Sequence, residues 1–396
     1  MKLNRGRPLT AMPGPSVIPD QVLGAMHTAM PNIYEGDLVA TSKSVFEDLP
    51  KIALTKGPVF IAISNGHGAW EMALTNTLSR GDRVLVLESG RFATGWGEQA
   101  GMLGAEVETL RATDRAGVDP MAVEERLRRD PSHEIKAILV VQVDTASGVW
   151  NDIAAIRKAI DSAAHTALLM VDCIASLGCV EYRMDDWNVD VTVGGSQKGL
   201  MVPPGLGLVW ASEKALATHK SANMRSPYWD WSKRLSNDAH YLRYCGTAPV
   251  QHIYGIRTAL DMIAQEGLEA VWTRHEIFAR AVRAAVEAWS MPDGLEFNIR
   301  SPRERANSTT TVLTNNIDGE RLHRLCEDAA GLTLGIGLGE VAGGAFRIGH
   351  MGHLNPPMVL GTLATIEAAL KAMQAPIGKS GIEVAASIIA EVLAEA

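Results

Sequence analysis

The stretch Val189-Asp190-Val191-Thr192-Val193-Gly194-Gly195-Ser196-Gln197-Lys198-Gly199 decides how the rest of the chain is read. Its β-branched first half predicts a buried strand over Val189–Gly194. The glycines and Ser196 then turn the chain, so Lys198 falls just past a strand's carboxyl end. A second apolar run, Ala167-Leu168-Leu169-Met170-Val171-Asp172, ends in a carboxylate. Ligands of open α/β sheets bind beyond the carboxyl ends of the strands, where both residues are expected.

The predicted sheet grows outward from these two strands. Further strands are expected over Val59–Ser64, Arg83–Glu88, Glu106–Leu110, Ala137–Gln142 and Leu206–Ala211. Helical patterns over Trp70–Leu78, Phe92–Leu103, Pro120–Arg129 and Ile153–Ala164 fall between several of them. This alternation predicts an α/β fold with a mostly parallel, seven-stranded sheet covered on both faces. Only Ser196–Gly205 separates the last two strands, too short a link for a helical crossover. Leu206–Ala211 is therefore expected to run antiparallel.

Downstream, long helices are predicted over Val250–Glu266 and from Leu268 to about Trp289. An α+β pattern follows: strand Thr309–Leu313, helix Gly319–Ala330, strand Ala345–Ile348 and helices Pro357–Met373 and Ile382–Ala396. The expected division is an irregular arm over residues 1–20, a large domain over 21–265 and a smaller C-terminal domain over 266–396. Pro8, Pro13, Pro15 and Pro19 break any helix in the arm, which is expected to lie on another surface, such as a second subunit.

Bulk properties narrow the function classes. The 396 residues are 46% hydrophobic and 21% charged, as in a soluble globular protein of more than one domain. A net charge of −8 argues against a nucleic-acid partner and leaves small molecules or another copy of the chain. Four scattered cysteines without CxxC spacing predict neither a disulfide framework nor a metal site. No long apolar run suggests a membrane span, and no apolar signal core follows the basic N-terminus. A cytoplasmic location is the expectation.

Each candidate site residue has an ordinary alternative. Lys198 could be a solvated surface lysine and Asp172 a helix cap. Ser64-Asn65-Gly66-His67-Gly68 lies between a strand and a helix, where small residues let backbone N–H groups approach a phosphate; a plain Gly-rich turn reads the same way. Phe92, after Gly90-Arg91, could stack on a planar heterocycle or fill core. Asp144-Thr145-Ala146-Ser147-Gly148 offers hydroxyls to a ligand or forms a simple turn. Arg347, between Phe346 and Ile348, needs an anionic partner if buried: a substrate carboxylate or a structural ion pair. Together they suit pyridoxal 5'-phosphate, which requires a lysine amine for a Schiff base and a carboxylate to keep its pyridine nitrogen protonated.

In this order, the pieces resemble the fold-type I pyridoxal phosphate enzymes, and more narrowly the class V aminotransferases of the serine/alanine/aspartate–glyoxylate group. The resemblance rests on Met12-Pro13-Gly14-Pro15, Ser64–Gly68 with Trp70-Glu71, Thr145–Gly148, Val171-Asp172, Gly195–Gly199 with Pro203-Pro204-Gly205, Tyr244–Pro249 and Arg347–His350. It implies that Lys198 carries the cofactor and moves the proton at the substrate Cα, with Asp172 on the pyridine nitrogen. Phe92 and Ile174 would enclose the ring, and Thr145 and Gln197 would approach its phenolic side. Gly66, His67, Gly68 and Ser196 would surround the phosphate, joined by Tyr244 and Thr247 of the second subunit of a homodimer. Arg347 would bind the substrate α-carboxylate, and Tyr34 would narrow the pocket.

The implied reaction is transamination of glyoxylate to glycine, with L-aspartate as the foremost donor, giving oxaloacetate. Serine– or alanine–glyoxylate and pyridoxamine–pyruvate transamination are the alternatives. One departure touches the donor. Many relatives carry a His-Arg pair where this chain reads Ile33-Tyr34-Glu35-Gly36, in a loop that approaches the substrate from the neighbouring subunit.

Overall fold

The structure, a computed structural model, describes residues 2–235 and 239–395. Its main sheet has seven strands in the order Val59–Ser64, Gly205–Ala211, Val191–Gly195, Leu168–Asp172, Ile135–Val141, Arg83–Glu88, Glu106–Arg111. Gly205–Ala211 runs antiparallel to both of its neighbours, as the short link predicted. The other pairings are parallel.

Side-chain alternation explains why the sheet is covered twice. Ile61, Leu85, Leu87, Ile138, Val140, Leu169, Val171 and Leu208 point into one buried cluster. Their neighbours Phe60, Ala62, Val84, Val86, Leu139, Met170 and Val209 point into another. Helix Asp37–Ala53 and helix Val250–Glu266 contribute to the first cluster, and helices Gly66–Thr77 and Arg91–Leu103 to the second.

A second sheet has the order Leu9–Ala11, Leu332–Ile336, Ala345–Gly349, Thr309–Leu313, Glu296–Phe297. It packs with helices Leu268–Trp289, Pro356–Ala372 and Gly381–Leu393 around a third cluster.

Three local expectations are corrected. The arm is not wholly irregular, because Leu9–Ala11 pairs in parallel with Leu332–Ile336. Three residues between prolines carry too little pattern to announce a strand. Helix Asp37–Ala53 was not anticipated, since Pro50 sits in its last turn. The helix expected to reach Ala330 stays regular only to Arg324 and widens into a π turn over Leu325–Ala329.

Candidate active site

Helix Gly66–Thr77 begins at Gly66, earlier than the predicted Trp70, and this places its first turn at the sheet's carboxyl edge. Asn65 caps it, its Oδ1 accepting from the N–H of His67 at 3.1 Å and of Gly68 at 3.4 Å. One turn further in, Trp70 Nε1 donates to Asp172 Oδ2 at 2.8 Å. Asp172 Oδ1 accepts the Ile174 N–H at 2.7 Å. Burial pushes the Asp172 carboxyl up to about 7, while these two donors oppose that rise.

Lys198 is held by the turn that follows strand Val191–Gly195. Ser196 Oγ donates to the Pro203 carbonyl at 2.8 Å and accepts the Leu206 N–H at 3.2 Å, which closes the turn. Inside it Met201 adopts a left-handed conformation at φ 57° while its N–H reaches the Lys198 carbonyl at 3.0 Å. The N-terminal arm secures the other side: the Ser16 N–H donates to the Gln197 carbonyl at 2.9 Å, and its Oγ to the Lys198 carbonyl at 2.7 Å. Lys198 Nζ donates to the Pro13 carbonyl. Gly14 has φ +99°, and a Cβ there would meet Lys198 Cδ and Cε at 2.5 Å, so only glycine suits that position. Burial, helped by the charge of Arg347, lowers the Lys198 amine to about 8.

These groups border one cavity of about 210 Å³. Of the residues expected at the site, Gly66, His67, Phe92, Thr145, Asp172, Ile174, Gln197 and Lys198 line it. Arg347 lies behind Thr145, its Nη1 donating to the Thr145 carbonyl at 2.9 Å and its Nε to the Ile336 carbonyl at 2.6 Å. It is only 8% exposed and its bonds run to main-chain carbonyls, so among the described residues no structural ion pair accounts for its burial. Burial lowers it to about 10.

The remaining expected residues lie elsewhere in the single chain. Ser196 faces its own turn, and Gly68 packs on Ser64 and Trp229. Tyr34 is 71% exposed, edge-on to Tyr241, and Thr247 is also exposed. Tyr244 is buried within its own chain, its hydroxyl bonded to that of Ser42 and its ring against Phe46.

Trp70, Asn65 and Asp144 lie within the motifs quoted above without a role of their own, and Ser16 lies just outside them. A capping signal was present in Asn65, immediately before Gly66.

Residues 55–340 match the family described as Aminotransferase class-V. The chain belongs to the class V aminotransferases. Serine–glyoxylate aminotransferase of Methylorubrum extorquens is 40% identical across 92% of this chain and 91% of its own length. L-Aspartate–glyoxylate aminotransferase of Paracoccus denitrificans is 37% identical across 92% of each chain. Among solved structures, pyridoxamine–pyruvate aminotransferase from Mesorhizobium loti is similar with a TM-score of 0.89 and 29% identity, covering 99% of this chain and 100% of that one. Ureidoglycine–glyoxylate aminotransferase from Bacillus subtilis gives 0.88 at 25% identity, covering 98% and 100%. The fold is thus that of the fold-type I aminotransferases, and the protein is a pyridoxal phosphate-dependent enzyme.

The cavity's donor and acceptor set fits this cofactor. Asp172 offers a carboxylate with acceptor capacity left, and Phe92 and Ile174 supply apolar walls. The side-chain oxygen of Gln197 is buried without a partner among the described residues, and a ring hydroxyl would supply the donor it needs.

Proposed function

We propose that this aminotransferase moves the amino group of a small L-amino acid to glyoxylate, forming glycine, through a Schiff base on Lys198. The observation that carries this is the position of Lys198, an amine lowered to about 8, in one cavity with Asp172 and beside Arg347. When bound, pyridoxal phosphate would supply an electron-withdrawing ring. Asp172 would hold a proton on the ring nitrogen, with the Trp70 and Ile174 donors opposing protonation of its carboxylate. Phe92 and Ile174 would enclose the ring, and Gln197 and Thr145 would approach its phenolic side. The first turn of helix Gly66–Thr77 borders the cavity, and its N–H groups would hold the phosphate. Arg347 binds the substrate α-carboxylate, which sets the Cα–H toward Lys198 Nζ, the group that takes and returns the proton.

The sequence resemblance puts aspartate first as donor. The cavity supports serine ahead of it, for an electrostatic reason. Among the described residues Lys198 is the one lysine or arginine on the cavity wall. His67 is kept neutral by burial and by Arg91, and Arg91 is itself paired with Glu98 at 3.1 Å. A second donor carboxylate therefore lacks a cation within one chain.

Three further readings accompany this one. The enzyme works as a homodimer, with exposed Met30 and Tyr34, next to helix Asp37–Ala53, facing the partner's site. Residues 21–265 form the cofactor domain and 266–396 the smaller domain, behind the arm of residues 1–20. The enzyme is cytoplasmic; among the described residues no helix is long and apolar enough to cross a membrane.

A donor scan at fixed glyoxylate, comparing serine, aspartate and alanine, tests the reading through the glycine formed. Serine should be preferred. Strong preference for pyruvate over glyoxylate as acceptor would overturn the assignment.

A further inference from the structure

Asp144 is wholly buried, and it does not line the cofactor cavity. Its carboxylate accepts main-chain N–H groups. Oδ2 takes those of Phe92 at 2.7 Å and Ala93 at 3.2 Å, and Oδ1 takes that of Ala146 at 2.9 Å. A buried carboxylate is costly unless it is fully hydrogen-bonded. Here the compensation comes from N–H groups of two separate segments, one of them the start of helix Arg91–Leu103, whose dipole also favours an anion.

Both segments carry site residues. The helix start bears Phe92, and the turn bears Thr145, whose carbonyl accepts Arg347 Nη1 at 2.9 Å. The Asp144 carbonyl closes the same turn by accepting the Gly148 N–H at 2.8 Å. Gly90, just before the helix, leaves room for this carboxylate. A Cβ at Gly90 would meet Asp144 Oδ2 at 2.6 Å and Oδ1 at 2.7 Å.

We propose that Asp144 is a positioning residue for the reaction: it locks the stacking ring of Phe92 and, through the Thr145 carbonyl, the guanidinium of Arg347 into one frame. This rests on the roles given above to Phe92 and Arg347. The carboxylate acts by holding two walls of the site at a fixed separation, so cofactor plane and substrate carboxylate are set together. A displacement of about 1 Å in such a frame costs up to about 100-fold in rate.

Two variants test it in the holoenzyme. Asp144→Asn keeps one acceptor oxygen but turns an NH₂ toward a main-chain N–H. Gly90→Ala leaves the charge intact and pushes the carboxylate aside. The readouts are the pyridoxal phosphate Kd by equilibrium dialysis, the KM values for amino donor and glyoxylate, kcat and Tm. Both variants should weaken cofactor binding and raise both KM values by about 10-fold, which corresponds to ~1.4 kcal/mol, with kcat less affected. Unchanged Kd and KM in the variants would overturn the proposal whatever happens to Tm, since a purely structural role moves Tm alone. If Asp144→Asn does not fold, Gly90→Ala decides by the same criteria. Failure of the wild-type protein to bind pyridoxal phosphate would instead defeat the site reading itself.

Discussion

Trp70 Nε1 meets Asp172 Oδ2 at 2.8 Å, joining the helix whose first turn borders the cavity to the carboxylate on the cavity wall. Trp70 is 1% exposed and stacks on Trp96 with ring centroids 6.0 Å apart, so the indole has little freedom to move off its partner. The contact also bears on charge. Burial, joined by the charge of Asp144, raises Asp172, and Trp70 is one of two donors that resist it.

Trp70→Phe should therefore push the Asp172 carboxyl above its present value of about 7 and leave it protonated at neutral pH. Removing a hydrogen bond to a charged group costs about 1.5–3 kcal/mol, or ~10- to 100-fold in affinity for a ligand that needs the anion. The check is a pyridoxal phosphate titration at pH 7 and again at pH 9. The loss should shrink at the higher pH, where the carboxyl ionises again. A loss equal at both pH values would mean that only packing was disturbed.

Lys198 should show its lowered pKa in the rate at which the cofactor-free protein captures pyridoxal phosphate. The neutral amine is the nucleophile. With the amine lowered from 10.5 to about 8, its neutral fraction rises through pH 7 and 8 and levels off above. Stopped-flow absorbance should give a rate that climbs and then flattens near pH 9. A rate still rising toward pH 10.5 would contradict the burial argument.

Arg347→Lys is not a conservative change here. The guanidinium already spends Nε on the Ile336 carbonyl and Nη1 on the Thr145 carbonyl, and these bonds orient its remaining donors. A lysine cannot hold both carbonyls and a carboxylate in that geometry. Steady-state kinetics should show kcat/KM lowered by about 100-fold for both the amino acid and the oxo acid, carried largely by KM. Unchanged KM values would remove Arg347 from the carboxylate site.

The central pair was readable because strand ends are readable. Lys198 and Asp172 each stand at or just past the end of an apolar run that reads as a buried strand, and the structure sets these two strands side by side, with Asp172 opposite Val193. Contacts that depend on where a helix starts were harder to see. Gly66 and Gly68 are poor helix formers, so the periodic signal begins at Trp70, although Asn65 caps the helix earlier. The bond from Trp70 to Asp172 follows only from the true start. Leu9–Ala11 was hidden for another reason, since its partner strand Leu332–Ile336 lies near the other end of the chain. Helix Asp37–Ala53 did carry a stripe of Leu38, Val45, Leu49 and Ile52 at helical spacing, which Pro50 obscured. Tyr34 and Thr247 lie exposed, outside the cavity of their own chain.

The most direct measurement follows nitrogen from ¹⁵N-labelled L-serine into glycine, with glyoxylate as acceptor, for the wild-type enzyme and for Lys198→Ala. The wild-type enzyme should form labelled glycine, and the variant should lose at least about 1,000-fold in rate, as expected when a group that is both nucleophile and general base is removed. Labelled glycine formed at the wild-type rate by Lys198→Ala would contradict the assignment of Lys198. No glycine from the wild-type enzyme with serine, aspartate or alanine would contradict glyoxylate as the acceptor.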